Sequence, residues 1–266
     1  PMSALTILSD EEQSYFDAIK DFAKKEVAPH VTAMDEAQKI NPDIVKKLFE
    51  MGLMGIEVPQ ELEGSGASFF TAILAVQAIS EVDPSVGVMV DVQNTLVNNA
   101  FMRWGSDALK KKYLPQLATG KVGSYCLSES SSGSDAFALK TKAVKKGDKY
   151  ILNGQKLWIT NAGEADIFII IANLNPEAGY KGITAFVVER GFKGFSVSKK
   201  ENKLGIRASS TCELVLEDCE VPVENLLGEE GKGYKVAIET LNEGRIGIGA
   251  QMVGLAEGAL QHAIDY

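Results

Sequence analysis

The sequence predicts an α+β fold in which helices come first, a small antiparallel sandwich or barrel follows, and a long helix closes the chain. Three observations carry this. Apolar residues recur at helical spacing through the first ~120 of the 266 residues. The period changes to that of strands at Gly120, and turn residues then punctuate short apolar runs. After Gly231-Lys232-Gly233 the helical spacing returns.

The elements follow in order. Ser9 and Glu12 form a capping box, and Tyr15, Ile19, Phe22, Ala23 and Val27 share one helical face, which Pro29 ends. Asn41-Pro42 starts a second helix through Ile44, Val45, Leu48 and Phe49, stopped at Gly52. A Gly-rich loop at 63–66 precedes a third helix from about Ser68 to Val82, which Pro84 breaks. A nearly all-apolar helix from about Ser85 to Trp104 reads as buried on most sides, and a last one spans about Ser106 to Ala118. Lys110-Lys111-Lys112 on it reads as a solvated face. Strands are expected at Val122–Leu127, Lys140–Lys145, Lys149–Leu152, Lys156–Ile159, Ile167–Ala172, Ile183–Glu189, Phe195–Ser198 and Cys212–Leu216. Lys146-Gly147-Asp148 reads as a turn, and Asn153-Gly154 as a hairpin turn. The final helix is apolar over much of its surface, which predicts that further chain or a partner covers it.

Composition narrows the function. Lys plus Arg total 27 and Asp plus Glu 36, a formal net charge of −9, which disfavours nucleic acid as a partner. Cys126, Cys212 and Cys219 match neither a zinc pattern nor a disulfide framework, and point to a reducing compartment. His30 and His262 stand far apart, so no metal site is expected. The longest apolar run, Ile167–Ala172, is too short to span a membrane. The first residues show neither a signal h-region nor an Arg-rich presequence.

Three segments could carry chemistry. Tyr125–Asp135 runs from a strand into a loop of Ser128, Ser130, Ser131, Ser132, Gly133 and Ser134, whose N–H groups and hydroxyls suit a pyrophosphate or a flavin edge. Taken alone it reads as a plain turn. In Lys156–Asn161, Trp158 and Thr160 lie two apart and so share a strand face, able to pack on and hydrogen-bond a flat ring. Alone they read as a core Trp beside an edge Thr. At Leu241–Arg245 a new helical run begins, and Arg245 could pair with phosphate or polarise a carbonyl, or be an ordinary surface Arg.

Together, in this order, these segments resemble the acyl-CoA dehydrogenase family. The resemblance extends over essentially the whole chain and includes Met54–Pro59, the loop ending Gly133-Ser134-Asp135, Asn153–Asn161 and Lys203–Ser209. Within the family, 201–211 and 242–251 are most similar to the short/branched-chain mitochondrial type. The resemblance implies an N-terminal helical domain at 1–120, a middle antiparallel β-barrel at 121–232, and the first helix of a C-terminal helical bundle at 233–266. It implies FAD as cofactor and α,β-desaturation of a short or branched acyl-CoA, in fatty-acid or isoleucine degradation. Electrons would pass to electron-transfer flavoprotein, and the assembly would be a homotetramer in the mitochondrial matrix, or in a bacterial cytoplasm.

The resemblance assigns cofactor contacts to Tyr125, Leu127, Ser128, Gly133, Ser134, Trp158, Ile159 and Thr160. It assigns acyl-CoA contacts to Ser134, Tyr180, Tyr234, Asn242, Glu243, Gly244 and Arg245. Two departures stand out. Ser130, Ser131 and Ser132 replace the small apolar residues or Pro usual before Gly-Ser-Asp. No residue matches the family's catalytic Glu, which lies farther along in most members. Some relatives carry it at the position of Gly244, and Glu243 beside it would point about 100° away on a helix. The expectation is therefore that the catalytic base is not among these residues, the alternative being a naturally short, non-catalytic flavin- or acyl-CoA-binding protein.

Overall fold

The computed structural model describes residues 7–266. Seven α-helices come first: α1 (Asp10–Phe22), α2 (Val31–Ala37), α3 (Pro42–Glu50), α4 (Phe69–Ser80), α5 (Pro84–Asp91), α6 (Asn99–Trp104) and α7 (Asp107–Thr119). Eight strands follow: β1 (Gly123–Cys126), β2 (Lys142–Lys146), β3 (Lys149–Thr160), β4 (Ile167–Asn173), β5 (Ile183–Glu189), β6 (Phe195–Lys200), β7 (Thr211–Pro222) and β8 (Leu226–Leu227). One helix, α8 (Gly233–Asp265), closes the described chain. The α+β organisation expected from the sequence is present.

Side-chain caps set the helix starts. Ser9 and Glu12 make the reciprocal capping box of α1. Asn41, Ser68, Asp83 and Ser106 each accept a first-turn N–H of α3, α4, α5 and α7. Pro29 does not end the first helical stretch. It enters a short 3-10 turn, where its missing N–H costs nothing, and α2 resumes behind it.

The helix expected over 85–104 is the clearest departure among the helices. It is α5, a π-helical segment Val92–Asn98, and α6. Its buried residues include Gln93, Asn94, Thr95, Asn98 and Asn99. Gln93, Asn94 and Asn98 satisfy remote backbone that would otherwise be buried unpaired. Gln93 bonds the Leu117 and Lys121 carbonyls and the Gly123 N–H. Asn94 bonds the Ile56 N–H and the Leu53 carbonyl, and Asn98 the Met54 carbonyl.

The strands run in the order β6-β7-β3-β2-β4-β5-β8, with β1 beside β4. Most pairs are antiparallel, but β1 and β2 each pair β4 in parallel. All seven residues of β4 are buried. Phe168 and Ile170 join one core, and Ile167, Ile169 and Ile171 the other, as period-two alternation requires of a strand covered on both faces. The second of these cores contains Leu114 and Leu117 of α7 and Val236 and Ala237 of α8.

Asn153-Gly154 is not a hairpin turn. β3 runs straight through it, and the hairpin lies at Lys146–Lys149. Pairing with β7 shifts register between Leu152 and Gly154. Asn153 exchanges two bonds with Asp218 across this bulge, at 3.0 and 2.8 Å. A Cβ on Gly154 would come 2.4 Å from Thr141 Oγ1, so the glycine serves close packing against the end of the serine loop.

The expected break at 241–245 is also absent, since α8 is one continuous helix. It packs on the N-terminal helices through Gly247, Ala250, Gln251, Gly254 and Gly258, while Ile238, Ile246, Ile248, Met252, Val253, Leu260 and Ile264 are exposed. No helix of the described residues is long and apolar enough to cross a membrane.

Candidate active site: a groove between the serine loop and the bulged strand

The serine loop leaves β1 and runs beside the end of β3. The contact that aligns them is a backbone bond from the Leu157 N–H to the Ser128 carbonyl, 2.9 Å. Farther back, Ser124 Oγ donates to the Thr160 carbonyl at 2.9 Å. The two segments singled out in the sequence thus lie side by side.

A second register shift against β7, between Lys156 and Ile159, shapes the β3 side. Trp158 sits in the bulge at φ +56 and is 57% exposed. A bulky side chain in the left-handed region is a strained arrangement, kept only where surroundings enforce it. Ile159 points into the core and Thr160 is half-buried. Trp158 and Thr160 therefore share the outward side of the strand.

On the loop side, Leu127 is buried and Ser128 half-buried. Tyr125 is buried, and its hydroxyl donates to the Ala237 carbonyl of α8 at 3.5 Å, so its ring belongs to the core behind the groove. The additional serines divide by role. Ser132 Oγ donates to the Asp135 carbonyl at 3.0 Å and Ser131 Oγ to the Ala138 carbonyl at 3.4 Å, so both brace the loop. Ser128, Ser134 and Thr160 spend no hydroxyl on a side-chain hydrogen bond among the described residues, and Gly133 has open space where a Cβ would stand. Free hydroxyls, an open glycine and an exposed indole fit the edge and face of a flat, polar-rimmed ring such as a flavin.

The loop continues to Phe137, which stacks near Tyr180 with ring centroids 6.2 Å apart. Tyr234, on the first turn of α8, meets Tyr180 edge-on at 5.0 Å and Phe137 at 6.4 Å. The structure thus brings Tyr180 and Tyr234 together, and adds Phe137, which sequence reasoning missed. Two turns along α8, Asn242 accepts a bond from Arg245 Nη1, and both are exposed. Gly244 lies against Leu96, where an added Cβ would come within 2.6 Å.

Glu243 turns away toward α6. It accepts from Asn99 Nδ2 at 2.9 Å and from Arg103 Nη1 at 3.0 Å. Glu57 lies in the same cluster. Burial raises its carboxyl above the usual range, the bond with Asn99 opposes this, and the charge of Glu243 adds to it. Glu129, another missed residue, is locked to the buried Lys156. The signal for that pair was present: Lys156 stands in phase with the inward-facing Tyr150 and Leu152, where a charge needs a partner. No group of three or more His, Cys, Asp or Glu among the described residues could hold a metal ion.

Three family profiles match in order: acyl-CoA dehydrogenase N-terminal domain over 9–121, middle domain over 124–219 and C-terminal domain over 231–266. The chain is 53% identical to a probable short/branched chain specific acyl-CoA dehydrogenase of Dictyostelium discoideum, across 98% of this chain and 64% of that protein. It is 49% identical to the mitochondrial short/branched chain specific acyl-CoA dehydrogenase of Bos taurus, across all of this chain and 62% of that protein. The chain therefore spans a little under two thirds of these curated relatives. Among solved structures, the butyryl-CoA dehydrogenase of Megasphaera elsdenii superposes with a TM-score of 0.95 at 40% identity, across all of this chain and 70% of that one. A chain of the electron transferring flavoprotein structure of Acidaminococcus fermentans gives 0.96 at 44% identity, across 99% and 70%.

Proposed function

The chain belongs to the acyl-CoA dehydrogenase family, and on that premise we propose that the protein carries out FAD-dependent α,β-desaturation of short or branched-chain acyl-CoA thioesters. The observation that carries the reading is the alignment of the serine loop with Trp158–Thr160 by the Leu157–Ser128 bond, with free hydroxyls and an exposed indole along the groove. Leu127, Ser128, Gly133, Ser134, Trp158, Ile159 and Thr160 would hold the flavin, with Tyr125 supporting them from behind. Bound there, FAD supplies the acceptor for the hydride that leaves the substrate's β-carbon.

The chain's own residues then have definable tasks. Trp158 covers the ring and keeps water from it, while Thr160 and Ser128 offer donors to its polar rim. Tyr180 and Tyr234 meet Phe137 where the loop approaches α8, and with Ser134 and Asn242–Arg245 they would form the surface proposed for acyl-CoA. The α-proton must go to a base within hydrogen-bond reach. Glu243 is tied to Asn99 and Arg103, and Glu129 to Lys156, so the base is proposed to lie outside the described residues. Electron-transfer flavoprotein as acceptor, a homotetrameric assembly and a mitochondrial matrix location complete the reading; the name of the bovine relative supports the last.

The test is dye reduction by the full-length protein with 2-methylbutanoyl-CoA and butanoyl-CoA. Turnover that depends on added FAD supports the reading. Tight acyl-CoA binding with no turnover of either thioester favours a non-catalytic binding protein instead.

A further inference from the structure

Lys156 is buried at 0% side-chain exposure, and its partner Glu129 is 5% exposed. Lys156 Nζ donates to Glu129 Oε1 at 2.6 Å and to the Leu127 carbonyl at 3.1 Å. Glu129 also accepts the Lys140 N–H at 2.6 Å and the Thr141 N–H at 3.2 Å. One ion pair thus joins the start of the serine loop, its end, and the strand carrying Trp158. Burial alone would raise the Glu129 carboxyl, but the charge of Lys156 and these donors hold it below the usual range.

For cohesion alone such a pair is a poor choice. Taking two charges out of water is costly, and well-packed apolar residues often serve stability as well or better. What an apolar pair cannot do is grip a chosen peptide group. Nζ holds the Leu127 carbonyl on its own side. In a planar trans peptide the following N–H points the opposite way, and no peptide here is cis. The Ser128 N–H is therefore turned away from Lys156, and it finds no acceptor among the described residues. The Ser128 carbonyl, by contrast, is taken by Leu157.

We propose that the Lys156–Glu129 pair is a positioning device for the groove: it orients the Leu127–Ser128 peptide so that the Ser128 N–H stands as a free donor beside Trp158 and Thr160, for a flavin heteroatom to accept. The inference rests on the flavin reading above. Neither charged residue touches the ring; both act through the peptide and through the bulged strand. The pair is neutral as a whole, so removing both charges leaves the net charge near the groove unchanged.

The test compares the full-length wild type with Lys156→Met/Glu129→Gln. Gln keeps an acceptor for the Lys140 and Thr141 amides, and no charge is left buried alone. The expected variant melts near the wild type, yet binds FAD roughly tenfold more weakly or worse, shows a shifted flavin absorption band, and exchanges the amides of 127–129 and 157–160 faster when flavin-free. A merely structural pair would not separate melting from flavin affinity. In the wild type, the Ser128 amide should exchange freely without FAD and become protected with it, a measurement that needs no variant. Wild-type FAD affinity and exchange in the double variant, or a Ser128 amide that FAD leaves unprotected, overturn the positioning role alone. A wild type that takes up no FAD overturns the flavin reading itself.

Discussion

Trp158 combines two features that work against stability, a left-handed backbone and an exposed indole. A residue with a side chain costs of order 1–2 kcal/mol at such a φ, which glycine escapes. In the flavin-free protein, Trp158→Gly should therefore be about 1 kcal/mol more stable than Trp158→Ala, while both lose FAD retention. Trp104 is half-buried against the second core, so Trp104→Ala should lower the melting temperature and keep the flavin. Equal flavin retention in the Trp104 and Trp158 variants, measured as bound absorbance per folded protein, would remove Trp158 from the site. Period-two spacing pairs Trp158 with Thr160 but would also put both in phase with the inward-facing Lys156; the bulge between Lys156 and Ile159, which the sequence did not announce, turns them outward. The division of the serines was not legible either, because Ser131 and Ser132 reach carbonyls whose positions depend on the folded loop. Glu129 lies 27 residues from Lys156, and nothing local to either named the other.

Between elements, the crossing of α8 over α4 and α5 decides most. A Cβ on Gly254 would stand 2.3 Å from the Gln77 carbonyl oxygen, whereas Gly249 faces open space. Alanine is worth up to about 1 kcal/mol over glycine inside a helix. Gly249→Ala should thus raise stability by up to about that amount, and Gly254→Ala should lower it by roughly 1–3 kcal/mol through overpacking. Urea midpoints of the two variants check this, and the same sign for both would refute the packing.

Asp91 lies at the same crossing, its Oδ1 taking the Thr95 hydroxyl at 2.8 Å. Burial pushes its carboxyl up to about 7, with the Thr95 bond opposing. The unfolded value is about 3.9, so the folded state binds the proton more tightly. The associated stability is full below about pH 4 and is lost as pH rises toward about 7. Asp91→Asn should gain on the wild type across that window, by a few kcal/mol in order of magnitude. Parallel stability–pH curves for the two proteins would contradict it. The sequence marked the start of α8 and the caps Ser9 and Asn41, since those signals are local. It misread 85–104 and Asn153-Gly154 because the deciding partners are remote: buried loop carbonyls for Asn94 and Asn98, and Asp218 for Asn153.

Across the whole molecule, Ile238, Ile246, Ile248, Met252, Val253, Leu260 and Ile264 of α8 stand exposed, away from its packing face. Burying even four of them would contribute roughly 6–12 kcal/mol, comparable to the stability of a domain. In the full-length protein this face should therefore be covered, by further helices or by a partner subunit, and a stable monomer that leaves it exposed would sink that expectation. The most direct test of the central claim is an anaerobic titration of the full-length, FAD-loaded protein with 2-methylbutanoyl-CoA or butanoyl-CoA, followed by visible absorption. Substrate should bleach the oxidised flavin band, and Trp158→Gly, which binds little FAD, should show little band to bleach. Flavin held as tightly by the variant as by the wild type, or a wild-type band that neither thioester bleaches, would contradict that claim.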